Sequence, residues 1–373
     1  MKKLGFGLMR LPKLDAMNDN SPIDLETVRQ MVDLFMQKGF SYYDTAYIYG
    51  DGASEEAFRE AVVRRYPREA FTITDKLPMM NFTAEDQLEP AMQTMLTRCG
   101  VDYFDYLWLH AITGPNWEKA QKFHAFEYLV KQKEIGRAKH IGFSFHGSPE
   151  LLEEVLTAHP EAEYVQLQLN YLDWEDPTVQ SRRCYEVCVK HNRQVIVMEP
   201  VKGGSLANIP EDAQKLFRAH DAAMSNASWA VRFAASQENV MVVLSGMSTL
   251  AQVQDNTSYM ETFQPLSDEE KKMVGAAADI IRKNIAIPCT ACRYCTSVCP
   301  KKIAIPDYFA IYNTMKRFGD SAYGDVINYY NNLVVSHGRP SDCIRCGRCE
   351  ARCPQHLTIR KYLVDVGKEL ESE

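Results

Sequence analysis

Two cysteine runs carry the clearest chemistry in this 373-residue chain. Cys289, Cys292, Cys295 and Cys299 stand before Pro300, and Cys343, Cys346, Cys349 and Cys353 stand before Pro354. Both follow C-x2-C-x2-C-x3-C-P, and together they hold eight of the eleven cysteines. Disulfides between neighbours three apart would close strained rings, and the opening MKKLGFGLMRLPK is too poor in apolar residues to be expected to direct secretion. Zinc is the alternative, but its sites bring two C-x2-C pairs together from a distance. Three closely spaced thiolates with a fourth before proline match the spacing that holds [4Fe–4S] clusters. The expectation is two clusters with crossed ligation: Cys289, Cys292, Cys295 and Cys353 on one, Cys343, Cys346, Cys349 and Cys299 on the other. Cys99, Cys184 and Cys188 lie in helical stretches and are expected to be buried small side chains.

A second group of reactive side chains precedes the cysteines. Asp44, Lys76 and His110 stand at or near the ends of three successive β-rich runs, FSYYDTA, FTITDKL and FDYLWLH, and Tyr49 follows the first of them. A phenol with an ordinary pKa near 10 is a poor acid at neutral pH. A lysine ammonium beside it eases proton donation to a developing alkoxide, a carboxylate holds the lysine, and an imidazole can orient a carbonyl. The device then lacks only a reductant, which a dihydronicotinamide would supply as hydride.

Positioning these groups requires strands whose ends meet. Before Ala286 the chain alternates short β-branched or aromatic runs with helical stretches bearing apolar residues at i, i+3 and i+4. Eight such runs over about 260 residues predict a (β/α)8 TIM barrel, whose chemistry sits at the C-terminal strand ends. A doubly wound sheet is the other candidate, but no G-x-G-x-x-G occurs, and Gly5 and Gly7 stand inside the first run. The predicted division is a barrel over residues 1–266, a connecting helix over 267–285 and a mainly helical, ferredoxin-like domain over 286–373. Ser267 and Glu270 form a capping box for the connecting helix. The closing stretch HLTIRKYLVDVGKEL is an amphipathic helix, with Ile359, Leu363 and Val366 on a face that needs cover; the top of the barrel is one candidate.

Net charge is −7, which argues against a nucleic-acid partner, and no apolar run reaches membrane-spanning length. From Ala286 onward, 12 Lys+Arg stand against 9 Asp+Glu, a net of +3 that leaves −10 on the rest. That basic excess suits the roughly −2 carried by each four-thiolate cluster. The expected location is cytoplasmic, and Trp117 and Trp174 are either pocket walls or plain packing.

DTAYIYG at 44–50, TDKL at 74–77 and LWLH at 107–110 resemble the aldo-keto reductases over about three quarters of the chain. With its tail the chain resembles the bacterial branch that carries a C-terminal iron–sulfur domain. The resemblance implies Asp44, Tyr49, Lys76 and His110 as the catalytic tetrad. It also implies Ser144, Gln166, Pro200, Lys202, Gly204, Gly246, Gln252 and Asn256 as positions that bind NADP(H), or NAD(H). Phe145 stands where the family often has asparagine, and Gln252 where many relatives place an arginine for the 2′-phosphate. Met198 or Glu199 stands where many have an aromatic that stacks on nicotinamide.

A barrel that moves hydride and clusters that move single electrons need a mediator to exchange directly, and a flavin is the natural one. Three readings follow. The first is NAD(P)H-dependent reduction of a small-molecule carbonyl (aldehyde, ketone or sugar), or oxidation of the alcohol, with structural or sensing clusters. The second is a redox enzyme coupled to a ferredoxin or flavoprotein through the clusters. The third is a non-catalytic electron-transfer docking module.

Overall fold

The computed structural model describes residues 2–15, 21–176, 179–283, 286–287, 289, 293, 295–318, 323–353 and 356–371. Cys292, Pro354 and the 284–285 end of the expected connecting helix lie outside the described residues. Eight parallel strands close into a barrel: β1 (Leu4–Gly7), β2 (Tyr42–Asp44), β3 (Thr72–Leu77), β4 (Phe104–Ile112), β5 (Ala138–Phe145), β6 (Tyr164–Gln168), β7 (Gln194–Met198) and β8 (Val240–Ser245). Each strand pairs with its sequence neighbours, and β8 returns to β1. Each coincides with a run expected to be a strand, with β4 extending two residues past FDYLWLH and β5 starting one residue before its run.

Two apolar layers hold the barrel. One lies between sheet and helices, built on residues such as Phe6, Phe35, Ile73, Leu109 and Phe143. The other fills the interior with Tyr42, Tyr106, Trp108, Ile196, Val242 and Leu244. Strand period 2 separates the two sets. The large plug needs two glycines. A Cβ on Gly142 would lie 2.2 Å from the Tyr164 carbonyl oxygen and 2.8 Å from the Trp108 ring; one on Gly5 would lie 2.7 Å from Leu244. Gly5 therefore makes room for packing and binds no phosphate. Stepping two residues along each strand from this plug reaches Asp44, Lys76, His110, Ser144 and Gln166, so the same parity sends all five inward at the C-terminal mouth.

Ser267 and Glu270 cap the Asp268–Lys283 helix as expected: Ser267 N donates to Glu270 Oε2 (2.7 Å) and Glu270 N to Ser267 Oγ (3.2 Å). Val274, Ala277, Ala278 and Ile281 are buried on Leu206, Phe217 and Trp229, which seats this helix in the barrel's outer layer. Burying a side chain of valine or isoleucine size contributes about 1.5–3 kcal/mol.

The tail holds helices Ile305–Phe318, Tyr323–Ser336, Arg348–Arg352 and Ile359–Leu370 around a core of its own. Ile359, Leu363 and Val366 are buried there, against the Ile305–Phe318 helix. The closing helix thus finds its cover inside the tail and not on the barrel. The Tyr323–Ser336 helix reaches the barrel mouth through hydrogen bonds, and the Ile305–Phe318 helix lines a cavity there beside it.

Candidate active site and cluster-binding tail

β2 and β3 deliver Asp44 and Lys76 to each other. Lys76 Nζ donates to Asp44 Oδ1 at 2.5 Å and to the Thr45 carbonyl at 2.7 Å, with the lysine fully buried. Gln166 Nε2 donates to the second oxygen, Asp44 Oδ2, at 3.0 Å. Burial alone would lower Lys76, but Asp44 and Tyr49 beside it hold its pKa above the ordinary value, so the ammonium persists. Tyr49 follows β2 on a tight turn, where Gly50, Asp51 and Gly52 all take positive φ. Its ring lies 5.1 Å from Lys76 Nζ and meets His110 edge-on, at 5.8 Å and 82°. Burial pushes the phenol above its usual pKa, and Lys76 only partly opposes this. Tyr49 is therefore held as the protonated phenol. Burial, then Lys76, then His146 push His110 well below the usual imidazole value, which leaves it neutral.

Other residues brace this group. A register shift at the end of β4 places Ala111 at φ 53°. Ala111 N donates to Ser144 Oγ (2.7 Å), and Asn116 Nδ2 donates to the Ala111 carbonyl (2.7 Å), so both backbone polar groups of the residue after His110 are pinned. Behind Lys76, Asp75 faces out of the barrel. Its Oδ1 accepts the Lys76 N–H at 2.8 Å, and Cys99 Sγ donates to its Oδ2 at 3.4 Å. Glu55 joins this buried cluster and accepts from Arg98 at 3.1 Å. Burial and the neighbouring Asp75 push the Glu55 carboxyl above the usual carboxylate range, and burial raises Asp75 as well. Asn116, Glu55 and Asp75 were not singled out from the sequence. Asp75 could have been, since it sits next to an inward lysine on a strand and must therefore point outward.

The residues expected to hold a dinucleotide divide into two groups. Ser144, Gln166, Lys202 and Asn256 are buried and have partners within the chain. Lys202 Nζ donates to Asp173 Oδ1 at 2.6 Å, and Asn170 and Gln168 share Asp173 Oδ2. Asn256 lies between Ser245 Oγ (2.7 Å) and the Tyr259 hydroxyl (2.6 Å). Gly204, Gly246 and Gln252 are exposed, and Pro200 is buried after β7. A Cβ on Gly204 or Gly246 would meet nothing within 4 Å. Gln252 Oε1 caps the Ser248 N–H at 2.7 Å. Glu199, at φ 55°, accepts the Gly203 N–H and lies 3.9 Å from Arg10. Trp117 is buried and donates to Glu154 at 2.8 Å, while Trp174 packs on Tyr185 and Phe233. Both tryptophans are packing residues.

The tail sits on this mouth. Tyr329 donates to Gln168 Oε1 at 2.9 Å, and Asn332 Nδ2 donates to the His146 carbonyl at 2.8 Å. Gln168 and Lys202 from the barrel, with Ile311, Thr314, Val326 and Tyr329 from the tail, line one cavity between the two. The buried path Tyr329–Gln168–Asp173–Lys202 thus runs from the tail to the loop after β7. Replacing Tyr329 with phenylalanine leaves Gln168 Oε1 without this donor. The expected loss is about 1–3 kcal/mol of stability, read as a lower denaturant midpoint at unchanged iron content. An unchanged midpoint would show that the seat does not form in solution.

The cysteine runs are structural as well as sequence repeats. Arg293 and Gly347, each just after the second cysteine, have φ 64° and 75°; Lys302 and His356, each three after the fourth, both have φ 51°. The backbone N–H of Cys299 meets the Thr296 carbonyl, and that of Cys353 the Glu350 carbonyl, each at 3.2 Å. The Ile305–Phe318 and Ile359–Leu370 helices start at matching positions. Cys299 from the first run lines one cavity with Cys343, Cys346 and Cys349 from the second, together with Ile303, Ile305 and Leu363. Four thiols on one apolar-walled cavity, with no disulfide among the described cysteines, fit a thiolate-held cluster. Cys289, Cys295 and Cys353 pack on the same tail core.

The family model of the aldo/keto reductases matches residues 3–279, and that of a 4Fe–4S dicluster domain matches residues 288–358. Probable aldo-keto reductase 1 of Glycine max is 29% identical over 170 residues, 43% of this chain and 46% of that protein. Aldo-keto reductase AKR2E4 of Bombyx mori is 26% identical over 161 residues, 42% of this chain and 52% of that protein. The chain thus spans about half the length of the curated relatives it matches. Among solved structures, aldo-keto reductase AKR11C1 from Bacillus halodurans is 23% identical, with a TM-score of 0.59 over 74% of this chain and 91% of that one. An aldo-keto reductase from Klebsiella pneumoniae in complex with NADPH is 17% identical, also with a TM-score of 0.59, over 74% and 90%. At these identities the structures speak to the fold. Among the described residues no helix is long and apolar enough to cross a membrane. The closed eight-stranded barrel, its inward tetrad and the family match over three quarters of its length place this chain in the aldo/keto reductase family, with a 4Fe–4S dicluster domain as its tail.

Proposed function

We propose that the chain reduces an aldehyde, ketone or sugar carbonyl to the alcohol with NADP(H), NAD(H) being the alternative donor. The observation that carries this reading is the buried Lys76–Asp44 pair converging with Tyr49 and a neutral His110 at the C-terminal mouth. Bound NADPH supplies hydride to the carbonyl carbon. Tyr49 donates its proton to the carbonyl oxygen, Lys76 steadies the phenolate left behind, and Asp44 holds Lys76. His110, uncharged, directs a hydrogen bond at the same oxygen without competing for the proton. Gln166 and the pinned Ser144 would hold the nicotinamide end of the cofactor, Pro200, Lys202 and Gly204 its pyrophosphate, and Gly246, Gln252 and Asn256 its adenosine end. Of these, Lys202 is held by Asp173, and Asn256 by Ser245 and Tyr259. The complex of the Klebsiella pneumoniae relative with NADPH supports the choice of NADP(H).

The test is NADPH oxidation by the full, cluster-loaded chain against a panel of aldehydes, ketones and sugars. Because the Tyr49 pKa is held above its ordinary value near 10, its acid form persists through neutral pH. A group needed as an acid is lost as pH rises through its pKa, so reduction is expected to stay level through neutrality and fall only on the alkaline side. A fall centred near pH 7 would refute Tyr49 as the donor.

One observation favours a second reading, in which the clusters exchange electrons with a carrier protein: the tail is seated on the mouth and not tethered at a distance. A flavin would then couple hydride to single electrons, and the spectrum of the isolated chain tests for one. We further propose the division 1–266, 267–285 and 286–373, the ligand sets given above, and a cytoplasmic location, where thiolates stay reduced.

A further inference from the structure

We propose that the face of the tail around Ile344 and Cys346 is the docking surface for an acidic one-electron carrier protein. There it exchanges electrons with the cluster held by Cys299, Cys343, Cys346 and Cys349. This inference rests on the electron-exchange reading above and gives it a place on the molecule.

Three observations converge. The four cysteines lining the shared cavity differ in exposure: Cys349 is buried, Cys299 and Cys343 are half-buried, and Cys346 is exposed. Electrons enter or leave a buried cluster most readily at its solvent edge, which here is the Cys346 side. Next to it stands Ile344, 59% exposed, one of six large apolar side chains left in solvent among the described residues. An apolar centre at a redox edge, rimmed by polar groups, has the anatomy of a transient interface.

The rim is basic. Between Cys343 and Lys361 the chain carries Arg345, Arg348, Arg352, Arg360 and Lys361 against Glu350 alone, and Lys301 lines the same cavity. Glu350 is already taken by Arg360, at 2.7 Å. Lys301, Arg345, Arg348 and Arg352 are exposed and form no ion pair among the described residues. Several barrel cations differ from these: Arg64, Arg65, Arg182, Arg183 and Lys190 each have a carboxylate partner within 4 Å. An oxidised cluster contributes only about −2, less than the basic charge gathered at this one edge. The remaining positive field is left for something outside the chain, and an acidic protein surface is its complement. Such a field speeds encounter by about 10–10³-fold at low salt and is screened at high salt. In each transfer the reduced carrier loses one electron and the cluster gains it, or the reverse, with no bond made or broken.

The test uses the full chain with both clusters loaded and a chemically reduced acidic plant-type [2Fe–2S] ferredoxin as probe. Stopped-flow bleaching of the chain's visible band gives the second-order rate. The expected result is a rate that falls at least ~10-fold from low to physiological salt. The double variant R345E/R348E should lower the low-salt rate by ~10–100-fold with iron content and spectrum intact, and Ile344→Asp should lower the rate at all salt concentrations. R182E/K190E, on the barrel, should leave it unchanged. A rate insensitive to both salt and R345E/R348E, or equal losses in the barrel variant, would overturn the docking surface while leaving electron exchange standing. Electron transfer from the reduced chain to a basic acceptor, oxidised cytochrome c, that speeds up as salt is lowered would overturn it too. If reduced ferredoxin bleaches nothing at any salt, electron exchange itself falls and takes this surface with it.

Discussion

Replacing Tyr49 with phenylalanine is expected to lower kcat for carbonyl reduction by ~10²–10⁴-fold, the range for losing an acid–base group. The substitution removes one hydroxyl and little else. The ring keeps its edge contact with His110 and stays under Lys76 Nζ, and the turn that carries it is set by Gly50 and Gly52 rather than by the phenol. Nicotinamide binding, followed by fluorescence, should therefore be nearly unchanged, and kcat and kcat/KM should fall together. That pattern separates a proton donor from a residue that only shapes the pocket, whose loss would appear mainly in KM. Lys76→Met is a harsher change, because it leaves Asp44 buried without its ammonium, and should cost stability as well as turnover. Near-normal reduction by Tyr49→Phe with any accepted substrate would remove the tetrad from the reaction.

The barrel and tetrad were legible because both rest on local regularities. Strand runs announce themselves by composition, and period 2 carries the inward parity of Tyr42 to Asp44 and of Trp108 to His110 without further information. The cysteine spacing is equally local. What stayed hidden depends on partners far apart in the chain. Nothing near Lys202 says that its ammonium will be held by Asp173, or near Asn256 that Ser245 and Tyr259 will take both ends of its amide. The resemblance gives these positions as cofactor contacts and is silent on the side chains that hold them in place. The apolar face of the closing helix was legible, but not its cover. Ile359, Leu363 and Val366 needed burial somewhere, and only assembly decides between the barrel and the tail's own core. Tyr329 carries no signal at all: a tyrosine in a helix between two cysteine runs looks like packing until Gln168 is found 2.9 Å from its hydroxyl.

Crossed ligation of two clusters, the arrangement proposed above, predicts which cysteine variants will resemble each other. Cys299 belongs to the first run by sequence, but it lines the cavity of Cys343, Cys346 and Cys349. If ligation followed sequence, Cys299→Ser would lose the same cluster as Cys289→Ser and leave the same residual signal. In the crossed arrangement Cys299→Ser should instead match Cys346→Ser, and Cys353→Ser should match Cys289→Ser. The readouts are iron content, expected to fall from about 8 to about 4 per chain, and the electron paramagnetic resonance of the reduced remainder. A serine oxygen is smaller and harder than thiolate sulfur and a poor substitute on a cluster, so the loss should be large in each case. Both runs feed one apolar core, and the repeated turns after Cys299 and Cys353 each lead directly into a core helix. Losing either cluster should therefore loosen the whole tail, including the Tyr323–Ser336 helix on the barrel mouth, while the barrel keeps its circular dichroism. Pairing of the residual signals by sequence order would refute the crossing. Loss of both clusters in every variant would mean that the two fold as a single unit.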